Sequence, residues 1–296
     1  MKRIFYIYLF LMLASTAIAQ EDRVMQLVKR VVPVKEYTYS NEFLLEINAE
    51  KAHVEIKVVS GNTAKLYLEQ SATNVDVRIA KRELSYCHFI EKKERDRLFL
   101  NNYIQMPAGS KRLSSIINNK YVIEIPAHCH LMIKNELGEV SVKGLKTSIN
   151  CNLEYSSLTL EDSDGKLYVN SQIGDVNIIN SRMNGEMILE NISLKLFESG
   201  GSYDILSQFG SISCTMSEQM SLFNADVEHC EVTLINRTSL DFNYAITTNN
   251  AYIGILDEIL KEKLEKGENK ETLRMKSDNS AGTIIIKSNY SDVNLY

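Results

Sequence analysis

The sequence contains no tryptophan and three prolines in 296 residues. Beyond residue 20 it has no apolar run long enough to span a bilayer, which takes about 20 consecutive apolar residues. It also lacks G-x-S-x-G, H-E-x-x-H and any glycine-rich loop able to cradle phosphate, so the signatures of serine hydrolases, zinc proteases and P-loop nucleotide enzymes are missing. Basic residues are in deficit, 33 Lys and Arg against 38 Asp and Glu. A nucleic-acid partner is therefore disfavoured, because phosphate binding draws on clustered Lys and Arg. What is abundant is Ile, Val, Leu, Ser, Thr and Asn, and with so little proline this composition favours strands.

The N-terminus reads as a secretory leader. Lys2 and Arg3 precede the apolar run Ile4–Leu13, and Ala17-Ile18-Ala19 forms an A-x-A cleavage site. Ten apolar residues are too few for an anchor, and no cysteine follows the run to carry a lipid. The sequence thus predicts a leader over 1–19 and an exported chain from Gln20, in the periplasm or at the cell surface, with no transmembrane segment after cleavage. Without Lys2 and Arg3 the charge falls to 31 basic against 38 acidic residues. Export permits disulfides, but five cysteines at wide, irregular spacing (Cys87, Cys129, Cys151, Cys214, Cys230) do not form the dense, even pattern of a disulfide scaffold.

The strongest signal is a repeat. The apolar pairs Val140/Val142, Leu158/Leu160, Val176/Ile178, Leu194/Leu196 and Ile212/Cys214 recur every 18 residues, followed by Val232/Leu234, Ile253/Ile255 and Ile284/Ile286. A second series runs about nine residues ahead: Leu131/Ile133, Ile149/Cys151, Leu167/Val169, Met187/Leu189, Tyr203/Ile205, Leu222 and Leu240/Phe242. A third column, Leu137, Tyr155, Ile173, Asn191 and Phe209, stands before a turn, with Gly138, Gly174 and Gly210 after it. A fixed period of this size marks a solenoid. Each coil would hold two short strands with alternate residues inward, joined by turns in which Gly, Asn and Ser take the demanding dihedrals. Four buried aliphatics contribute roughly 6–12 kcal/mol, whereas ordering 18 backbone residues costs about 18–36 kcal/mol. One coil cannot stand alone, so stacking is obligatory. A barrel or sandwich also spaces short strands evenly, but it does not constrain residue type at every eighteenth position. Between the inward pairs the outward column reads Glu139, Ser157, Asp175, Ser193, Ser211 and Glu231.

The fold expected is therefore all-β: a parallel β-solenoid over 127–296, preceded by a segment at 20–35 and a β-rich lead-in at 36–126 that caps the first coil. The lead-in shows strand alternation over Phe43–Gln70 and again from Cys87. A short helix is expected over Asp76–Leu84, a polar loop over Pro107–Lys120, and a second short helix from the spacing of Val24, Leu27, Val28, Val31 and Val32. A charged insertion at 257–276 reads either as a solvated excursion or as a capping or partner-binding helix stopped at Gly267. The final strands, TIIIKSNYSDVNLY, are expected to close the stack.

The run IEIPAHCHLMIKNELGEVSVKGL, followed by strands opening on Gly-x-[Val/Ile]-x-[Val/Ile], resembles the bacterial β-strand-repeat domains labelled putative adhesins, relatives of the putative auto-transporter adhesin head domain. The resemblance runs from about Leu44 to the C-terminus. It implies an exported, non-enzymatic β-solenoid and carries over no catalytic residue.

The residues offer little chemistry of their own. Glu139 and Asp175 share an outward column two coils apart, roughly 9–10 Å, a spacing open to a pair of glycosidic acids. No Arg, His or Tyr stands near them in that column. His128-Cys129-His130 places two imidazoles on one side of a strand without further zinc ligands. Glu161–Gly165 resembles half of a calcium loop, but Ile173 stands where the bidentate acid is needed. Cys151 and Cys214 fall in inward columns and read as small buried hydrophobes. No catalytic, metal or cofactor site is assigned. The sequence points to a binding or structural module contacting an envelope protein or a neutral glycan. A carbohydrate-active β-helix enzyme and an envelope-stress accessory protein are the alternatives.

Overall fold

The computed structural model describes residues 24–110, 112–236 and 242–296. The leader expected at 1–19 lies outside the described residues. Within them the chain is mostly strand, and most strands pair in parallel.

The repeat is plainest in β12 (Asp164–Ile179), β13 (Arg182–Phe197), β14 (Gly200–Thr215) and β15 (Met220–Ile235), which lie side by side in parallel. Val176 faces Leu194, which faces Ile212, each one repeat along the chain. Every one of these strands turns a corner. In β13 exposure alternates until Glu190 and Asn191 both point outward, then resumes in the opposite phase. Asn191 has φ of 55°, and one left-handed residue reverses the pleat and bends the chain. A single strand thus supplies two facing walls, which we call a rung. β10 (Ser148–Glu154) with β11 (Ser157–Glu161) forms the rung before β12, and β8 (Cys129–Glu136) with β9 (Glu139–Lys143) the one before that. Between the walls Val140, Leu158, Val176, Leu194, Ile212 and Val232 are at most 2% exposed. These are the aliphatic columns that the period predicts.

The second series is partly out of register. Gly185, not Met187, stands between Leu167 and Tyr203, and Met187 continues the column of Val169 and Ile205. The Tyr203 ring is the reason: a Cβ on Gly185 would sit 3.0 Å from its Cδ1, so the absent side chain makes room for the ring. Farther along, Phe223/Ala225 and Tyr244/Ile246 hold the places expected for Leu222 and for Leu240/Phe242, of which Leu240 lies outside the described residues.

The ends of the stack abandon chain order. β2 (Phe43–Glu50) and β3 (Ala52–Val59), assigned to the lead-in by the sequence, form a rung against β8 and β9. Their other edges pair with β6 (Arg97–Ile104) and β7 (Ile116–Pro126). Beyond these the pairing becomes antiparallel. β4 (Thr63–Asn74) adds to β7, β1 (Gln26–Thr38) adds to β4, and β5 (Cys87–Lys93) adds to β6. β1 replaces the helix expected from the valine spacing, because β-branched side chains gain a strand partner there. The helix expected over Asp76–Leu84 is present as α1 (Val77–Leu84), with Asp76 as N-cap. Its Ala80 and Leu84 pack with Ala72, Cys87 and Ile117 in a small separate core. The Glu83 carboxylate accepts the N–H groups of Ser114 and Ser115 at 3.1 and 2.6 Å, so the loop beyond Pro107 ends earlier than expected, at Ser115.

At the other end, β20 (Gly282–Asn289) and β21 (Val293–Leu295) do not close the stack. They lie between β15 and the rung formed by β16 (Phe242–Asn249) and β17 (Ile253–Ile255). Ile284/Ile286 therefore belong with Phe223/Ala225, while Val293/Leu295 continue Val232/Leu234. The charged insertion folds as a one-turn helix α2 (Glu258–Lys261) and a hairpin of β18 (Leu264–Lys266) and β19 (Lys270–Met275). β19 pairs antiparallel with β16 and buries Leu273 completely. The insertion is thus not merely solvated, and the element covering the β16 edge is a strand, not a helix.

Candidate functional site

Each rung turns two corners, and the two are built differently. At the first, between the walls, Lys51, Leu137, Tyr155, Ile173, Asn191, Phe209, His229, Asn250 and Tyr290 have φ between 49° and 60°. The sequence led us to expect Gly, Asn and Ser there, yet most of these residues are large and apolar. Their N–H groups stay in the ladder, Leu137 donating to the Glu154 carbonyl at 3.0 Å and Tyr155 to that of Gln172 at 2.9 Å. Their side chains project outward, with Leu137, Tyr155, Ile173, Phe209 and Tyr290 between 39% and 56% exposed. The next residue lies against the preceding rung, and a Cβ on Gly174 would stand 2.2 Å from the Ser156 carbonyl oxygen. The column of glycines after the turn answers to this close approach.

At the second corner the left-handed residues are Gly144, Asp162, Asn180 and Glu198. A buried serine follows each of the last three. Ser163 Oγ accepts the Leu145 N–H at 3.1 Å and donates to the Glu161 carbonyl at 2.9 Å, and Ser181 repeats the pattern with Ser163 and Ile179. Serines at 163, 181, 199 and 217 carry the same period as the aliphatic columns, a signal the sequence reading passed over.

The first corner forms an exposed ridge. The rings of Phe209, His229 and Tyr290 stack along it, with centroids 5.3 and 5.1 Å apart and planes 2° and 12° from parallel. On one flank runs a column of acids and amides, Glu136, Glu154, Gln172, Glu190, Gln208 and Glu228. Amide and carboxylate bond between rungs, Gln172 to Glu190 at 2.8 Å and Gln208 to Glu228 at 2.9 Å. This column too recurs every 18 residues over Glu136–Gln208 and went unread. On the other flank runs the predicted outward column, with Glu139 opposite Ser157, Asp175 opposite Ser193 and Ser211 opposite Glu231. Where the ridge passes β21, a groove of about 320 Å³ opens, lined by His229, Glu231, Tyr252, Tyr290, Asp292 and Asn294.

The residues singled out in the sequence are held apart. Glu139 accepts no second acid as a partner but meets the His53 Nδ1 at 3.0 Å. The sequence reading found no histidine there, because His53 comes from β3, whose place beside β9 chain order does not reveal. His130 bonds Ser148 at 2.7 Å and lies 3.7 Å from Glu42, whereas the His128 ring meets Phe43 edge-on at 5.9 Å, so the two imidazoles diverge. Glu161 and Asp162 both pair with Lys143, at 2.8 and 3.1 Å, and Asp164 pairs with Arg182 at 2.8 Å. These acids hold neighbouring rungs together. Cys151 stands opposite Ile133 and Cys214 opposite Leu196, as the columns predict. All five cysteines are buried and unpaired. Desolvation pushes the thiols of Cys129, Cys151 and Cys214 up to about 12, so they stay protonated and unreactive in the folded chain.

Comparison with known proteins agrees with the resemblance noted in the sequence. The chain is similar to a putative adhesin from Bacteroides fragilis, at 12% identity over 92% of this chain and 97% of that one, with a TM-score of 0.42. It is similar to a putative cell adhesion protein from Clostridium sporogenes, at 10% identity over 91% and 99%, with a TM-score of 0.22. It is likewise similar to a putative lipid binding protein from Parabacteroides distasonis, at 13% identity over 90% and 96%, with a TM-score of 0.39. No curated protein matches. The Toastrack family, DUF4097, matches residues 44–296, and the chain belongs to that family.

Proposed function

We propose that the protein is a non-enzymatic contact module, exported to the periplasm or cell surface, that presents the first corner of a β-solenoid to a partner. In this reading the rungs are coils of about 18 residues, and the antiparallel strands before β8 cap one end. The observation that carries it is the first corner itself. A β-branched residue with positive φ is a strained choice, yet Ile173 holds φ of 58° with its side chain in solvent. Strain of this kind persists where a side chain is needed for what it meets outside. The acids at the second corner support the same reading, since Glu161, Asp162 and Asp164 are engaged in inter-rung ion pairs.

The test is turnover against binding. The purified mature chain is incubated with a panel of polysaccharides and assayed for new reducing ends and for retention. No new reducing ends are expected, whether or not a polysaccharide is retained. Turnover that disappears in Glu139→Gln or Asp175→Asn would replace this reading with a glycoside-cleaving enzyme. N-terminal sequencing of the exported chain should begin at Gln20.

A further inference from the structure

The two corners impose the same backbone conformation but recruit different residues, and the difference isolates what the first corner is for. A left-handed residue is least strained as Gly, Asn or Asp, and the second corner follows this rule at Gly144, Asp162 and Asn180, departing from it at Glu198. The first corner follows it at Asn191 and Asn250 and departs from it at Lys51, Leu137, Tyr155, Ile173, Phe209, His229 and Tyr290. Backbone geometry cannot explain that choice, and interior packing cannot either, because the side chains point into solvent. Stacking from rung to rung accounts for part of it at Phe209, His229 and Tyr290, and the surface these side chains leave exposed is open to an external partner.

The chemistry along the ridge narrows that partner. Parallel rings in full face-to-face contact would lie about 3.5–4 Å apart. Centroids at 5.3 and 5.1 Å with near-parallel planes set the rings of Phe209, His229 and Tyr290 beyond that distance, in a loose stack that follows the rung spacing. Both flanking columns are built from hydrogen-bond acceptors and amides, and from Glu136 to Asp292 neither contains Lys or Arg among the described residues. An anionic polymer would meet carboxylates in both columns with no cation from either to offset them. A ligand with apolar C–H faces and a rim of hydroxyl donors would satisfy rings and acceptors together. The ridge repeats at every rung, about 4.8 Å apart, and from Leu137 to Tyr290 it runs for about 29 Å. Such a surface matches a linear chain of short repeating units better than the irregular relief of a folded protein.

We propose that the ridge from Leu137 to Tyr290 binds an uncharged linear polysaccharide lying along the stack. The groove of about 320 Å³ between Tyr290 and Tyr252 receives one of its sugar rings, with Glu231, Asp292 and Asn294 accepting or donating hydrogen bonds at its rim. This inference rests on the contact-module reading and adds the partner's class.

The test uses the full mature chain and isothermal titration with hexasaccharides of β-1,4-glucose, β-1,3-glucose, α-1,4-glucose and β-1,4-N-acetylglucosamine, with heparin as the anionic control. At least one neutral hexasaccharide should bind, and heparin should not. The triple variant Tyr155→Asn, Phe209→Asn, Tyr290→Asn should lose binding by about tenfold or more while its melting temperature holds or rises, since Asn tolerates the left-handed region. Asp162→Asn at the opposite corner should bind as the parent does. Binding that survives the triple variant overturns the site, and a panel without any neutral binder overturns the ligand class. In the second case, crosslinking to an envelope protein that the triple variant abolishes would retain the contact module and reject the polysaccharide.

Discussion

The middle of the stack and its ends obey different rules. From Ser148 to Thr215 the chain adds rungs in sequence order, every strand parallel to its predecessor. At both ends the order breaks. β2 and β3 slip between β8/β9 and β6/β7, and β20 and β21 slip between β15 and β16/β17. Antiparallel strands then take over. A growing parallel stack always exposes an edge at each end, and the same period that extends it cannot stop it. Ending the stack needs chain that departs from the repeat, and that chain returns to be inserted or to pair the other way.

The sharpest way to break this comparison is to place a charge in each region. Val176→Asp in the middle and Ile286→Asp in the inserted rung should both abolish cooperative thermal unfolding, because each puts an unpaired carboxylate at a fully buried site at a cost of several kcal/mol. Were β20 a terminal strand, Ile286→Asp would be the milder of the two. Asn177→Asp, on the outward side of the same rung, should melt as the parent does. Next in size is the covering hairpin. Leu273→Ala should destabilise by about 2–5 kcal/mol, and deleting 264–275 should free the β16 edge and shift the protein to oligomers in light scattering. A monomer after that deletion would show that β19 does not guard the edge.

A smaller effect concerns the opposite end. Burial pushes the Glu83 carboxyl up, but hydrogen bonds from Ser114 and Ser115 outweigh it and hold the group below the usual carboxylate range. A depressed carboxylate contributes stability that is present above its unfolded value and is lost as pH falls. Glu83→Ala should therefore lower stability by about 1–3 kcal/mol at neutral pH, and the deficit should shrink in acid. Hydrogen exchange should locate the loss between α1 and β7, with the middle rungs unchanged. The smallest effect separates the two corners. Ile173→Asn should raise the melting temperature slightly, and Asn180→Ile should lower it, each by about 1 kcal/mol in stability. Equal shifts in the same direction would mean that the corners are not alternative solutions to one backbone demand.

Much of this was legible because an inward column is read by residue type alone. The pairs from Val140/Val142 to Ile212/Cys214 needed no knowledge of neighbours, since a side chain shut away from water without a hydrogen-bond partner must be apolar. The second series was harder to read where one side chain compensates for another, as Gly185 does for Tyr203. The candidate ridge was visible as a column but not as a surface. Period 18 located Leu137, Tyr155 and Ile173, whereas the alternation that assigns inside and outside changes phase at those very residues. The acid and amide column beside them was equally periodic, and only the structure shows its members bonding from rung to rung.

The sequence by itself determined that the chain is a stack of near-identical two-strand units, because periodic burial constrains composition locally at every step. It also determined that the corner residues recur and that the cysteines at 151 and 214 are interior. Tertiary structure alone decided the order of the end rungs, the pairing of β19 and the meeting of His53 with Glu139. Those contacts join segments far apart along the chain, where strands of similar composition can pair with several partners, and the choice falls to whichever arrangement leaves the fewest edges open.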